Sequence, residues 1–435
     1  MKQAVEDEAG RRHLPKSVQG LNATAARLWR LEYFGLLGIT VSSFFPAFNH
    51  LQEYAFFFLL AVALSISWLE KINPIVRTPI DVPVIAFLAW VLCTIPFAID
   101  PAYSFSEWRK VVAHVLVFYW AMLVLRQNGS DELPRQIILA TVFGSLVLSG
   151  LALEDFILRG GTWKHRLIRA GAPNSDYNWL TTYLVLAIPI VIGWVLIHQT
   201  SRARALGIVT IVLAVAAQIA AYTRAGWLAH FAQAFGFVIM AGKRRVMVWA
   251  LISAMALGGG LIALSMIGYQ KDTLDPWTFS ARVKTWRLGF QQVVQHPFVG
   301  VGYGNDTFVR IYTAELEADK NKGLEERVLP ALHNTFAMVL MGSGVPALAF
   351  FVWVFVRIVG ELTVGKRQLM IEQADVRVLV PAVALAVIGF AVRNAFDYMF
   401  AGSLAALFWI LVALGLSLKS QDGDVRSPAN IAAAG

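Results

Sequence analysis

Apolar stretches of roughly twenty residues recur along almost the whole chain, at about 32–48, 52–69, 83–99, 109–125, 136–157, 179–198, 205–222, 226–241, 246–268, 333–357, 378–395 and 399–418. A helix of that length spans the ~30 Å hydrocarbon core of a bilayer. There it must satisfy its own backbone hydrogen bonds, because no water is present to do so. The predicted fold is therefore all-α: a polytopic integral membrane protein of about twelve transmembrane helices. Composition agrees, with 57% hydrophobic and 15% charged residues in 435 and a mean hydropathy of +0.60, far from the soluble range. The opening "MKQAVEDEAGRRHLPKSVQGLNATAARLWR" lacks a short apolar core before a small-residue cleavage site, so no removable signal peptide is expected. The lone Cys93 lies in an apolar run and is expected to pack there.

The net charge of +9 matters less than where the charges fall. Placing the N-terminus inside puts 21 of the 37 Lys and Arg in inner segments, eight in the short outer loops and eight in one long outer loop. That bias favours both termini inside. The expected organisation is an inner segment 1–31, nine spans over 32–268, a long outer loop 269–332, three spans over 333–418 and an inner tail 419–435. Several basic residues break the rule on the outer side: Arg159, Lys164, Arg166 and Arg169 in one loop, Arg224 in "TRAGW", Arg393 in "RNAFDYMF", and Arg282, Lys284 and Arg287 in the long loop. An anionic ligand on that face explains such a cluster; snorkelling to lipid phosphate or pairing with carboxylates remains open for any single one.

The long loop reads as folded. "ARVKTWRLGFQQVVQHPF" spaces Val283, Trp286, Phe290 and Val293 as a helical stripe, and Phe308, Ile311, Tyr312 and Leu316 form a second, weaker one. Two amphipathic helices at the outer interface are expected. The "VGVGYGN" between them is a turn and not a nucleotide fingerprint, since no βαβ unit surrounds it.

His333 stands where this polar segment meets the next span, and is expected to open the helix. A neutral imidazole at that interface can act as a general base, a role worth ~10²–10⁴ in rate. Asn334 can hydrogen-bond a sugar or orient the ring; a merely polar helix start also fits both residues. His114 and His230 lie in apolar runs and are expected to be satisfied interior residues. No His, Cys, Asp or Glu set shows metal-ligand spacing, and "DTLD" and "ELEAD" read as solvated acidic surface. The first outer loop, "AFNHLQE", offers only Glu53, whereas a metal-dependent enzyme using lipid-phosphate sugars wants a carboxylate pair. Arginine can take the cation's place on a pyrophosphate through bidentate bonds.

Four motifs carry a resemblance over most of the chain: "RAGAPNSDYNWL", "YTRAGWLAH", "SARVKTWRLGFQQVVQHPFVGVGYGN" and "HNTFAMVLMGSG". With them the chain resembles the O-antigen ligase and polymerase superfamily of bacterial envelope glycosyltransferases, and most closely the O-antigen ligases of lipopolysaccharide assembly. His333, Asn334 and Gly344 fit the ligase spacing; Ala347 replaces the family's usual Gly, Thr or Val, and "TR" lacks the usual intervening Ser. The resemblance implies an inner-membrane enzyme moving O-antigen from undecaprenyl pyrophosphate to a sugar hydroxyl of lipid A–core at the periplasmic face. It implies inversion, no cofactor and no metal, with His333 as base. Arg224 and Arg282 match the family's functional arginines, Asp397 matches an acidic position, and Arg166 and Arg169 are added as pyrophosphate ligands from the outer loop. A polymerase or a protein O-oligosaccharyltransferase would share this chemistry, although only "KSQDGDVRSPANIAAAG" follows the last span, where the latter carries a sizeable soluble part. A lipid-linked glycan transporter is the alternative from another class; it would place its charges near the midplane, not at outer junctions.

Overall fold

The computed structural model describes residues 23–128, 132–162, 168–173, 175–198, 200–241, 277–319, 328–363 and 374–425. Among these the chain is helical: α1 Ala23–Ser42, α2 Asn49–Leu69, α3 Asp81–Thr94, α4 Pro101–Asn128, α5 Glu132–Leu158, α6 Tyr177–Ile197, α7 Ser201–Ala220 and α8 Arg224–Ala241 come first. They are followed by α9 Trp277–Gln295, the short α10 Thr307–Ile311 and α11 Thr313–Ala318, then α12 Thr335–Thr363, α13 Ala374–Asn394 and α14 Gly402–Val425. Among the described residues, eight helices are long and apolar enough to cross a membrane, and Asp81–Phe97 is apolar but shorter. This is a helical, multi-pass membrane protein. The expected span at 246–268 lies outside the described residues.

α14 forms the centre of the bundle: 89% of its apolar window is covered by protein, against 33% for α7. Around it, Phe351, Phe355, Phe390, Phe400, Phe408 and Trp409 interlock, with Phe390 and Phe408 stacked at 4.8 Å. Such pairs add ~0.5–1.5 kcal/mol each beyond burial. They tie α12, α13 and α14 together directly beneath the turn joining the last two.

Two expectations need correction, and the helices of the long loop gain detail. α4 begins at Pro101, not near 109: Asp100 caps it, accepting the Tyr103 N–H at 2.9 Å, and proline suits the first helical position. Cys93 is exposed on the bundle's outer surface, not packed. α9 buries Ala281, Thr285 and Val293, with Gly289 pressed against Leu332, while Val283 and Phe290 of the expected stripe face outward. Small residues let α9 approach α12 closely, and Val283 and Phe290 are left exposed. The second stripe does point inward, with Phe308 and Tyr312 buried, but the helix breaks between α10 and α11.

Within α12, Pro346 has no N–H for the Gly342 carbonyl, and Val345 N–H turns to Pro297 O at 2.8 Å instead of Met341. The freed carbonyls of Met341 and Gly342 are taken by Val301 N–H (3.0 Å) and Gly302 N–H (2.9 Å). The "VGVGYGN" segment is thus a structural partner of the broken helix. Its Gly300 touches the Gly342 backbone so closely that no Cβ fits.

Candidate active site

The turn 395–401 between α13 and α14 is held from several sides. Asn394, fully buried, donates to Phe390 O (2.9 Å) and accepts Met399 N–H (3.1 Å). The Thr335 hydroxyl lies 2.7 Å from Asn394 Oδ1 and 3.0 Å from Asp397 O, fastening the start of α12 to the same turn. Asp397, fixed in this way, has its carboxylate at 3.1 Å from His333 Nδ1 through Oδ1, and at 3.5 Å from Arg393 Nη2 through Oδ2. Burial alone would push the Asp397 carboxyl up; the His333 hydrogen bond and the Arg393 charge outweigh it and hold it below the usual carboxylate range.

His333 does not open α12. The helix starts at Thr335, and Asn334 is its cap, its Oδ1 accepting the Ala337 N–H at 3.0 Å. Asn334 therefore serves the helix, and Asp397 is the group that orients the ring. His333 sits one residue further out with φ 48°, in the left-handed region, and is about one-third exposed. The segment before it is gripped by α9: Trp286 Nε1 donates to Leu332 O (2.7 Å), and Leu329 N–H donates to Thr285 Oγ1 (2.9 Å). Asp319, in "ELEAD", is buried and accepts Val328 N–H (3.0 Å) beside Lys284 (3.4 Å), so it is a structural acid and not solvated surface. With Nδ1–H donated to Asp397, the ring presents Nε2 as its free acceptor.

The arginines divide into groups. Arg282 reaches the site from α9, donating from Nη1 to Phe396 O at 2.9 Å. Arg393 is fully buried, with Nη2 shared between Asp397 and Asn178 Oδ1 (2.8 Å), so it braces the carboxylate. Arg224, exposed at the start of α8, is placed by register. Gly236 faces Leu385 and Ile388, while Gly389 faces Gln233, so α8 and α13 run antiparallel. Carrying that register outward sets Arg224 level with the 395–401 turn. Arg169 lies over the Tyr177 ring at 4.2 Å, at the end of the bundle where Asp176 caps α6. Arg166 lies outside the described residues.

Arg393 is expected from the sequence among the outer-side basic residues that answer an anionic ligand; instead it turns inward onto Asp397 and Asn178, and Asn178 was not singled out. The signal was present: Arg393 and Asp397 stand at i, i+4 at the end of an apolar helix, where an unpaired charge is costly. The buried-histidine expectation holds only in part. His230 Nδ1 bonds Gln233 at 2.9 Å, but its Nε2 is buried without a partner, and His114 makes no hydrogen bond among the described residues.

The structure is a multi-pass bundle with an imidazole–carboxylate pair and the Arg282 guanidinium gathered at one end. Residues 209–352, a third of the chain, match the family model described as O-antigen ligase, and this match supports a relation to the O-antigen ligase/polymerase superfamily. The matched region carries Arg224, Arg282, His333, Asn334 and Gly344, while Asp397 and Arg393 lie beyond it. No curated protein matches the chain. The match supports a glycosyltransferase-like function of the O-antigen ligase/polymerase type.

Proposed function

We propose that the protein is an O-antigen ligase of the bacterial inner membrane, with both termini cytoplasmic and the His333 end facing the periplasm. It transfers O-antigen polysaccharide from undecaprenyl pyrophosphate to a sugar hydroxyl of lipid A–core, with inversion and without metal or other cofactor. The observation that supports this most is the His333–Asp397 pair, with Asp397 on the turn whose Phe396 carbonyl holds Arg282. The acceptor oxygen attacks the anomeric carbon as its proton passes to His333 Nε2. The bond from that carbon to the pyrophosphate oxygen breaks, and its electron pair leaves on undecaprenyl pyrophosphate. Asp397 keeps Nδ1–H pointed inward and offsets the positive charge that the ring gains. Arg282 and Arg224, with Arg166 and Arg169 from the outer loop, stabilise the departing pyrophosphate by charge-assisted hydrogen bonds. Holding both lipids at one site converts a bimolecular encounter into a local step.

The test is to combine purified protein with lipid-linked O-antigen and lipid A–core in detergent, with a chelator present, and to look for joined product. Product with wild type is expected. Chain extension of the lipid-linked glycan without lipid A–core would instead make the enzyme a polymerase, and transport without product would sink the enzyme reading. Arg224→Lys is expected to lower turnover on the order of 10- to 100-fold with the melting temperature unchanged, because a point charge cannot replace a bidentate fork. Unaltered turnover would assign Arg224 a structural role.

A further inference from the structure

The early start of α4 brings a row of polar residues to the His333 end. Tyr103, Glu107, Lys110 and His114 are spaced i, i+4, i+7 and i+11, so they lie on one face of α4. Ionisable side chains on a membrane helix face a cavity or a partner, not lipid. Tyr103 is committed to the long loop, its hydroxyl accepting Asp306 N–H at 2.9 Å with Arg310 over its ring at 4.2 Å. Glu107 is buried and paired through Oε1 with Lys110; its second oxygen has no hydrogen bond among the described residues. Tyr303 and Tyr398 lie within reach of its charge. Burial above all pushes both phenols well above their ordinary range, with the Glu107 charge next for Tyr303, and Tyr303 and then Glu107 next for Tyr398, so both remain neutral donors. Tyr398 follows Asp397 directly and donates its backbone N–H to Asp397 Oδ1 at 3.1 Å.

Further along the same face of α4, Lys110 and His114 open into a cavity of about 180 Å³ between α1, α2, α4 and α14. Asn49, His50 and Glu53 line it from the first turns of α2, and Ser403 from the start of α14, while Ile39, Phe56, Val117 and Ala406 make an apolar floor. Asn49 Oδ1 is buried there with no partner. Such an atom normally finds a water or ligand group. The lining carries an acid and bases together, so it suits neither a cation, which Lys110 repels, nor a phosphate, which Glu53 repels. A neutral ring with an apolar C–H face and hydroxyls on its rim fits the floor and the polar wall. The volume is below the ~300–1,000 Å³ of sites for drug-sized ligands, so it suits one ring and not a chain.

We propose that this cavity, with Glu107 and the Tyr303 and Tyr398 hydroxyls leading from it to the His333–Asp397 pair, is the subsite for a sugar ring of the acceptor saccharide. The assignment to the acceptor rests on the glycosyl-transfer reading above and on the order of packing. α8, which carries Arg224, packs on α13; α13 packs on α14; and α14 packs on α4. The 395–401 turn therefore has Arg224 on one side and the cavity on the other. An in-line displacement needs nucleophile and leaving group on opposite sides of the reacting carbon.

Two variants test the subsite without touching the acid–base pair: Ala113→Leu, which fills the cavity from α4, and Glu53→Gln, which replaces a charged acceptor at its rim by a neutral amide. In the purified, detergent-solubilised full chain, each is expected to raise the KM for lipid A–core roughly ten-fold. Turnover at saturation and the KM for the lipid-linked donor are expected to stay within two-fold of wild type, at an unchanged melting temperature. A second measurement needs no turnover: saturation-transfer NMR of core oligosaccharide released from lipopolysaccharide by mild acid, with donor absent. Signal with wild type and its loss with Ala113→Leu are expected. An acceptor KM and NMR signal unaltered in both variants, while wild type makes product, overturn the subsite and leave the transferase intact. A raised donor KM with an unaltered acceptor KM overturns the assignment to the acceptor. No product from wild type together with sugar binding lost in Ala113→Leu overturns the transferase reading and retains a sugar site.

Discussion

His333→Ala is expected to lower turnover by roughly 10²–10⁴, the span of a positioned general base, and Asp397→Asn is expected to follow it closely. The two act as one unit in this geometry. Nδ1 is within 3.1 Å of an ionised carboxylate, so the proton is held on Nδ1 and the lone pair on Nε2, where the acceptor hydroxyl must deliver its proton. An amide in place of the carboxylate can turn its NH₂ toward Nδ1, which moves the ring proton to Nε2 and blocks the base. It also removes the negative charge that offsets the imidazolium formed during transfer. The double variant is therefore expected to turn over no more slowly than His333→Ala alone, since residues that act as a unit are grossly non-additive. Single-turnover product formation from the lipid-linked donor reads this directly, with thermal melting as the control for folding. Multiplicative losses in the double variant would mean that Asp397 acts apart from the base, as a brace for Arg393 and the 395–401 turn.

The sequence made the membrane class and the His333 end of the site legible for the same reason. A bilayer demands long apolar helices, so a histidine or arginine at the edge of such a run stands out. Apolarity within the bilayer is less informative, because lipid is as good an environment for a large apolar side chain as the core is. That is why the stripe of Val283, Trp286, Phe290 and Val293 does not tell which face of α9 meets protein: Ala281, Thr285 and Val293 are buried, Gly289 is pressed against Leu332, and Val283 and Phe290 stay exposed. The true start of α4 was written in "DP" at Asp100–Pro101, a cap followed by proline at the first helical position. A search by hydropathy passes over it because the following turn is polar, and with it passes over the Glu107–Lys110 face. The meeting of His333 with Asp397 was not readable in the same way. It depends on the 395–401 turn being pinned by Asn394 and Thr335, a tertiary arrangement that no local spacing encodes.

The broken middle of α12 gives the second large expected effect. Gly344 has φ 81° and ψ −179°, a backbone region essentially restricted to glycine. A Cβ there would lie 2.1 Å from Phe298 O and 2.3 Å from Phe298 C, backbone atoms that cannot swing aside as a side-chain end can. Gly344→Ala therefore combines backbone strain of ~1–3 kcal/mol with overpacking of similar size. It also prises apart the bonds from Val345 to Pro297, Val301 to Met341 and Gly302 to Gly342 that replace the helix's own ladder at Pro346. Those bonds fix the first part of α12, whose cap at Asn334 positions His333, so activity is expected to fall with stability. Gly38→Ala in α1 is the matched control. Nothing lies within 4 Å of the Cβ it would add, and alanine is the better helix former by ~1 kcal/mol. In detergent the Gly344→Ala protein is expected to melt well below wild type, or to fail to fold, while Gly38→Ala melts at or above it. Equal melting of the two variants would show that the strain at Gly344 is relieved by movement of the 296–304 segment, and would remove the link between this glycine and the placement of His333.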